Sequence, residues 1–485
     1  MEQNLNRSTE YRFNEITFFL NGKKKTARLS PGISTLDYLN KVQHMYGTKC
    51  SCNEGDCGAC TVVIAYPIEG EIVYEAINSC LYPAAKLHGK HLITIEGLGS
   101  SEDLHPIQQA LLEHHGTQCG YCTPGFVMSL FALLASIAHP DNEDIMAALE
   151  GNLCRCTGYQ SILNAARELS RDYQPSGIVP AWCREIEARL FTFNDASQSV
   201  SGSRDAIYAV ENYLKPESCN ALAEHLAENP DANLIAGGTD IMVQVNISRR
   251  RFNTLIDITG IPELKNIQLK RDGIHIGAAV SYSRIMQSGI VKSDLPELRK
   301  IIRLIASKQI RNFGTLVGNI ANASPIGDSL PLLLVYDSRL ILSSKGGERE
   351  IALRDFFLAY RKTALQPAEF IREIVIPIPP RDSFIMALKS AKRKSVDIAS
   401  VASAIRIDKH TNEGSALALG GVAATPALSK SFSGMVRDGS PIDWKALAEA
   451  VAQEFTPLSD VRGSADYRKQ MIINHILQYR EAYNG

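Results

Sequence analysis

Cys52, Cys57 and Cys60 share one small-residue stretch, Gly47-Thr48-Lys49-Cys50-Ser51-Cys52-Asn53-Glu54-Gly55-Asp56-Cys57-Gly58-Ala59-Cys60, in the order C-x4-C-x2-C. Cys80 follows with nineteen residues between it and Cys60. Three thiolates from one turn-rich loop and a fourth from a later segment can enclose a small inorganic cage, and this is the plant-type spacing for a [2Fe–2S] cluster. Gly55, Gly58 and Ala59 let backbone N–H groups approach the sulfurs and tune their potential. A second group lies downstream. Gln118-Cys119-Gly120-Tyr121-Cys122-Thr123-Pro124-Gly125 supplies a C-x2-C pair, and Gly151-Asn152-Leu153-Cys154-Arg155-Cys156-Thr157-Gly158-Tyr159 a C-x-C pair. Four further thiolates suit a second cluster, and two clusters in one chain form a short wire for single electrons.

Other chemistries compete for these residues. Paired cysteines also bind structural zinc, although C-x4-C-x2-C with a remote fourth ligand is not a common zinc spacing. Disulfides are disfavoured: the start Met1-Glu2-Gln3-Asn4-Leu5-Asn6 is polar and reads as no signal peptide, and cytosolic thiols are kept reduced. Cys50 lies two residues before Cys52, but Cys52 alone gives the four-residue gap to Cys57. Cys183 and Cys219 stand by themselves and read as ordinary thiols.

The elements that must position these cysteines follow from pattern. The 485 residues allow roughly three or four domains. A hydrophobic content of 45% with 21% charged residues is ordinary for a globular chain. A formal net charge of -1 gives no global basic field, so neither nucleic acid nor an anionic membrane is an expected partner. The longest apolar run, Phe126 to Ala138, sits between Pro124 and Pro140 and is shorter than the ~20 residues that span a bilayer. Iron–sulfur ligands with no export signal and no membrane span point to the cytoplasm.

Residues 13–24 alternate as a strand that turns at Asn21-Gly22. Val62-Val63-Ile64, Glu71-Ile72-Val73-Tyr74 and His91-Leu92-Ile93-Thr94-Ile95 read as further strands. Strands enclosing a cysteine loop predict a β-grasp, ferredoxin-like domain over 10–98. The period then becomes helical: Pro106 to His115, Phe126 to Ala138, Asp144 to Leu149 and Ser161 to Leu169 predict a helical bundle over 99–172. Both cysteine pairs there lie at helix starts, where the dipole favours thiolates. Residues 173–205, with Pro175, Gly177 and Pro180 and a Ser/Asp/Asn-rich end, read as a linker.

From 206 onward the pattern is α+β, in a unit over 206–380 and a C-terminal unit over 384–483 with a helix at 444–454. The strand Asn233-Leu234-Ile235-Ala236 runs into Gly237-Gly238-Thr239-Asp240. A second Gly/Asn/Thr/Ser-rich loop follows Ile310-Arg311-Asn312-Phe313-Gly314-Thr315. Such loops let N–H groups converge on phosphate oxygens, although neither is a Walker loop and no G-x-G-x-x-G follows a strand.

Both cysteine groups, followed by these loops, resemble the molybdenum hydroxylase family over nearly the whole chain. The resemblance rests on Glu54 to Val62, Gln118 to Phe126, Gly151 to Tyr159, Ile235 to Asp240, Gly318-Asn319-Ile320-Ala321-Asn322-Ala323-Ser324-Pro325-Ile326-Gly327-Asp328 and Phe455-Thr456-Pro457-Leu458-Ser459-Asp460-Val461-Arg462. It implies iron ligation by Cys52, Cys57, Cys60 and Cys80 and by Cys119, Cys122, Cys154 and Cys156. It implies FAD, with the 206–380 unit of the molybdopterin dehydrogenase flavin type. Leu234, Ile235, Ala236, Gly237, Gly238, Thr239, Asp240 and Ile241 would wrap the diphosphate. Thr315, Leu316, Val317, Gly318 and Asn319 would form the second wall, with Val317 a departure where many relatives carry glycine. Asp328 matches the family's acidic residue, Ile305 and Ile371 apolar positions against the cofactor, and Lys389 a lysine near the flavin ring, whose alternative is a solvated surface lysine.

The resemblance further implies a separate large molybdopterin-binding subunit, in a heterotetramer, with Cys156 and Gln118 facing it. The implied reaction is hydroxylation of a purine C–H with oxygen from water. Electrons would pass from the partner's molybdenum through the helical-domain cluster and the ferredoxin-like cluster to FAD, and then to NAD+ as a hydride. No general acid or base is assigned on this chain. The basic run Lys392-Arg393-Lys394 is read either as an attractor for NAD phosphates or as a solvated face. A stand-alone iron–sulfur flavoprotein reductase and a zinc-stapled scaffold are the alternatives, as is the same electron-transfer role with an aldehyde or another N-heterocycle as substrate.

Overall fold

The computed structural model describes residues 15–30, 32–193, 200–201, 210–408, 414–436 and 441–484. The start of the first expected strand, at residues 13 and 14, and most of the end of the expected linker lie outside the described residues. Two compact units divide the chain: Met1–Glu217 with Asp231–Gly260, and Ser218–Pro230 with Ile261–Gly485. Compactness therefore follows a different line from the 206–380 division, because the segment 231–260 belongs with the cysteine-bearing half.

The first unit opens on a five-stranded sheet in the order Lys23–Arg28, Glu15–Leu20, His91–Ile93, Thr61–Ile68, Glu71–Asn78. Glu15–Leu20 and His91–Ile93 run parallel, and the other pairs are antiparallel. Asn21 and Gly22, with φ of 46° and 80°, make the two-residue turn whose twist suits a hairpin. Five residues of Glu15–Leu20 are buried, whereas the outer strand Lys23–Arg28 keeps charged residues at the sheet edge, which discourages pairing with another chain.

The helical part is built on Thr123–Ser136, in which every residue from Gly125 to Leu134 is buried. It packs on the strands Thr61–Ile68 and Glu71–Asn78 and on the helix Asn142–Leu149. An apolar run hydrophobic all round thus serves as the centre of a core, where each fully buried large side chain contributes roughly 1.5–3 kcal/mol. Among the described residues no helix is long and apolar enough to cross a membrane.

The linker expected at 173–205 is corrected in its first part. Pro175–Ile178 and Ala181–Phe191 are helices, and Ile178, Cys183, Ile186 and Leu190 are buried in the core shared by the sheet and the helices. Pro175 and Pro180 open these helices, where a missing N–H costs nothing, so residues read as breakers act as starts. The unit is completed by a sheet in the order Val200–Ser201, Val210–Leu214, Phe252–Asp257, Asn233–Ile235, the last three strands parallel. Ala236 and Asp257 consequently lie at the same, carboxyl, edge.

The second unit has two larger antiparallel sheets. One runs Ile267–Lys270, Gly273–Gly277, Phe370–Ile376, Arg339–Ser344, Gly347–Ala352. The other runs Phe384–Ser390, Val401–Ile407, Ala416–Gly420, Ala427–Leu428, and shares a core with Lys430–Val436, Trp444–Glu454 and Ala465–Asn484.

Within the first unit the cysteine loop and the helical part meet without spare room. A Cβ added to Gly58, whose φ is +69°, would lie 2.2 Å from the Gly151 carbonyl oxygen. Gly58→Ala is expected to cost on the order of 1–3 kcal/mol from the backbone angle alone, and more from the collision. Gly70→Ala, at φ +87° with nothing within 4 Å, isolates the first term. Thermal denaturation should show a lower melting temperature for Gly58→Ala than for Gly70→Ala; equal values would disprove the steric argument.

Candidate iron–sulfur and flavin sites

The first cysteine loop reverses direction at Asn53, Gly55 and Gly58, all at positive φ. These reversals turn N–H groups inward: Glu54 N and Asp56 N lie 3.5 and 3.4 Å from Cys52 Sγ. The Cys60 and Cys80 sulfurs are 3.3 Å apart, and Asn78 Nδ2 lies 3.8 Å from Cys60 Sγ. Hydrogen bonding from the Cys57 thiol, helped by the Glu54, Cys57 and Asp56 N–H groups against the upward push of burial, lowers the Cys52 thiol to about 5. Cys57 is correspondingly pushed up. In the second pair the Cys80 thiol holds Cys60 down, and Cys80 itself rises well above its ordinary value. In each pair one thiol donates a hydrogen bond to the other sulfur, so the two sulfurs face one another as two ligands of one iron would, and binding metal would displace the thiol proton.

The second group repeats this arrangement. Cys122 is the N-cap residue of Thr123–Ser136. The Cys119 and Cys156 sulfurs are 3.7 Å apart. Burial and then a hydrogen bond to Cys154 raise the Cys122 thiol to about 12. Against the opposing push of burial, the Thr157 hydroxyl at 3.2 Å and N–H at 3.4 Å, with the Cys156 N–H at 3.5 Å, lower the Cys154 thiol. The expectation that both pairs lie at helix starts holds for Cys122, while Cys119 lies in the loop four residues before that helix. Cys154 and Cys156 likewise sit in the loop before Gln160–Asp172. Among the described residues no group of three or more His, Cys, Asp or Glu is gathered for a single metal ion. Sulfurs taken two by two fit a pair of irons.

Sequence reasoning overlooked the groups that join the two cysteine sites. The Leu153 N–H donates to the Cys57 carbonyl at 2.9 Å, linking a residue of one set to the neighbour of Cys154. Asn152 Nδ2 donates to the Gly58 carbonyl at 3.2 Å, while Asn152 Oδ1 accepts from the Ser129 hydroxyl at 2.8 Å. The Tyr121 hydroxyl donates to the Cys50 carbonyl. The polar Gly151-Asn152 ahead of Cys154 is the signal in the sequence, and it is weak without a view of Gly58. Cys183 is buried in a helix, consistent with an ordinary core thiol.

The flavin-motif residues are carried by both units. In the first, Leu234 and Ile235 end a strand, and Gly237 and Gly238 are buried, Gly238 at φ +90°. The Ala236 carbonyl accepts a hydrogen bond from Lys86 Nζ, and Asp240 is the N-cap residue of Ile241–Asn246.

In the second unit, Thr315 Oγ1 caps the helix Leu316–Asn322 by accepting from Gly318 N at 3.0 Å. Val317 is buried at 4% exposure. Asn319 Oδ1 and Asp328 Oδ1 are buried acceptors with no hydrogen-bond partner among the described residues. An orphaned buried acceptor costs about 1–3 kcal/mol, so these atoms fit a ligand bearing hydroxyl or imide donors, as a flavin nucleotide does. Lys389 is no solvated lysine. Its side chain is 3% exposed, and Nζ lies 2.7 Å from Asp328 Oδ2 and 2.9 Å from the Leu304 carbonyl. Burial raises the Asp328 carboxyl and Lys389 opposes the rise. Arg311 Nη1 donates to the carbonyls of Arg303, Ile305 and Ala306, fixing the turn that carries Ile305. Ile371 is buried in Phe370–Ile376. In the basic run, Lys392 Nζ donates to the Val461 carbonyl at 2.8 Å, and Arg393 Nη2 to that of Val396 at 2.6 Å.

Comparison with known proteins agrees with this chemistry. Four family models match in succession: a 2Fe-2S iron-sulfur cluster binding domain over residues 18–84, a [2Fe-2S] binding domain over 94–167, the FAD binding domain in molybdopterin dehydrogenase over 208–379, and the CO dehydrogenase flavoprotein C-terminal domain over 386–481. Xanthine dehydrogenase of Drosophila pseudoobscura pseudoobscura is 32% identical over 533 residues, covering 97% of this chain and 39% of the relative. Aldehyde oxidase 3 of Rattus norvegicus is 31% identical, covering 96% of this chain and 39% of the relative. The chain thus spans about two fifths of the length of these curated relatives. Among solved structures, a carbon monoxide dehydrogenase from Hydrogenophaga pseudoflava matches with a TM-score of 0.53 and 28% identity, covering 55% of this chain and 94% of that one.

Removing one partner of a buried ion pair leaves the other charge uncompensated, at roughly 3–5 kcal/mol. Lys389→Met should therefore destabilise the chain by that order and reduce flavin retention, while Lys389→Met with Asp328→Asn recovers most of the stability. Urea unfolding and flavin absorbance check this; a single variant as stable as the double one refutes it.

Proposed function

The chain belongs to the molybdenum hydroxylase family as an iron–sulfur and flavin chain, and from that premise we propose that it is the electron-transfer subunit of a xanthine dehydrogenase. The observation that carries the proposal is the pairing of eight thiols in two sets joined by the Leu153 N–H···O=C Cys57 hydrogen bond. When bound, two [2Fe–2S] clusters supply one-electron transfer and FAD exchanges single electrons for a hydride.

The residues of the chain hold and space these groups. Cys52 with Cys57, and Cys60 with Cys80, hold the cluster of a β-grasp, ferredoxin-like domain at 10–98. Cys119 with Cys156, and Cys122 with Cys154, hold that of the helical domain at 99–172. Between the sets, Leu153 and Cys57 provide a path of covalent bonds and a single hydrogen bond. Leu234 to Ile241 and Thr315 to Asn319 hold the flavin in a 206–380 domain. Asp328 and Asn319 offer acceptors to it, Lys389 fixes Asp328, Ile305 and Ile371 give apolar contact, and 384–483 forms the C-terminal flavoprotein domain.

The exposure of Cys119 and Cys156, with Tyr121 at 47%, favours a covering partner over the helical cysteine site. The proposed partner is a large molybdopterin-binding subunit, in a cytoplasmic heterotetramer that oxidises xanthine and passes a hydride to NAD+. Rat aldehyde oxidase at 31% identity supports a second reading, the same wiring serving an aldehyde or another heterocycle.

Affinity purification of the tagged chain from its host should bring down a large molybdopterin-containing subunit, with iron and flavin absorbance in the complex. The complex should reduce NAD+ with xanthine. Activity on aldehydes with none on xanthine would move the assignment to the second reading; a colourless, iron-free complex would end both.

A further inference from the structure

We infer that Asn246 and Lys86 are positioning residues that lock the ferredoxin-like cysteine site to the flavin loop, an inference that rests on the function proposed above. Asn246 closes the helix Ile241–Asn246, which begins where the loop Gly237–Asp240 ends. Its side-chain amide spends both hydrogens on the cysteine site: Nδ2 lies 2.9 Å from the Cys80 carbonyl oxygen and 3.1 Å from that of Asn53, the residue after Cys52. One amide thus grips both stretches of chain that carry the four sulfurs.

The second tie runs the other way. Lys86 stands six residues after Cys80, and its side chain is 5% exposed. Its Nζ donates to the Ala236 carbonyl, at the entrance of the loop, and lies 3.3 Å from Asp257 Oδ1. Asp257 is fully buried and held by the Tyr213 hydroxyl at 2.8 Å, the Thr259 N–H at 2.9 Å and the Thr259 hydroxyl at 2.7 Å. A buried carboxylate so fully bound fixes its lysine in direction, and the lysine fixes the loop carbonyl. The stretch Cys80–Lys86 is therefore pinned at both ends to Ala236–Asn246. Between the ties, a Cβ on Gly238 would lie 3.6 Å from the Leu81 carbonyl oxygen. The two ties set the separation of the cysteine site and the flavin loop, the quantity on which single-electron transfer depends.

The test uses the full chain in its native complex. Asn246→Leu keeps side-chain volume and removes both donors; Asn246→Asp replaces them with a negative charge. In both, iron and flavin stoichiometry should be unchanged, and reduction of the flavin after rapid mixing with substrate should slow roughly tenfold or more. In a redox titration followed by electron paramagnetic resonance, Asn246→Asp should lower the midpoint of the ferredoxin-like cluster and leave the helical-domain cluster where it was. Lys86→Met, made with Asp257→Asn so that no buried charge is orphaned, should raise the flavin dissociation constant about tenfold. Lys86→Gln in the same background keeps a donor for Ala236 and should restore most of the affinity. Replete variants with unmoved midpoints, transfer rates and flavin affinity would overturn the inference while leaving the proposed function standing. A parent complex without iron or flavin would instead remove that function, and the inference with it. If the leucine variant fails to fold, the aspartate variant decides through its midpoint.

Discussion

The contact between Gly58 and Gly151 is the constraint on which the first unit depends. Two sulfur-bearing loops can be joined by a short route only if their backbones touch, and they touch here because Gly58 carries no side chain where the Gly151 carbonyl oxygen lies. Once the backbones are that close, the Leu153 N–H reaches the Cys57 carbonyl, and Asn152 can bridge Gly58 to Ser129 in the central buried helix. The cysteine spacing gathers the sulfurs of each loop, the fold pairs Cys60 with Cys80 and Cys119 with Cys156 across separate segments, and the Gly58 contact brings the two loops together.

Two buried lysine–carboxylate pairs, Lys86–Asp257 and Lys389–Asp328, do a related job in the two units. Burial is costly for both charges: it lowers the Lys86 ammonium to about 8 and raises the Asp328 carboxyl. Replacing such pairs with apolar residues is often neutral or stabilising, so net stability is a poor account of why they stand there. What an apolar pair could not supply is direction. Each lysine also donates to a loop carbonyl, Lys86 to Ala236 and Lys389 to Leu304, and each of those loops belongs to the flavin motif or adjoins it.

Local pattern made the cysteine sites and most elements legible, and long-range contact hid the rest. The C-x4-C-x2-C spacing is a property of one loop, so the candidate ligands can be read from it, whereas the pairing of Cys60 with Cys80 and of Cys119 with Cys156 joins separate segments. The helix Thr123–Ser136 and the turn at Asn21-Gly22 are equally local. Pro175 and Pro180 mislead because proline marks a boundary without saying whether a helix ends or begins there; only the burial of Ile178, Cys183 and Leu190 settles it. Lys86 lies in Pro83-Ala84-Ala85-Lys86-Leu87, where a lysine normally reads as solvated. Its role depends on Asp257, 171 residues away. Asn246 is likewise unremarkable beside Arg249-Arg250-Arg251 until Asn53 and Cys80 are placed against it.

The division into compact units follows from the same long-range ties. A strand-loop-helix segment that reads in sequence as the start of a flavin domain is grouped with the cysteine-bearing half. It is bound there by an ammonium, by an amide and by the parallel pairing of Asn233–Ile235 with Phe252–Asp257. Sequence families describe which residues are inherited together, whereas compactness describes which residues are packed together. An electron carrier needs the second kind of grouping, because the gap that matters lies between two cofactor sites and each must be fixed relative to the other. Grouping the Gly237–Asp240 loop with the cysteine sites in one compact unit meets that need at the cost of burying a charged pair, and it explains why polar side chains, which are directional, carry the join where apolar packing alone would leave the register loose.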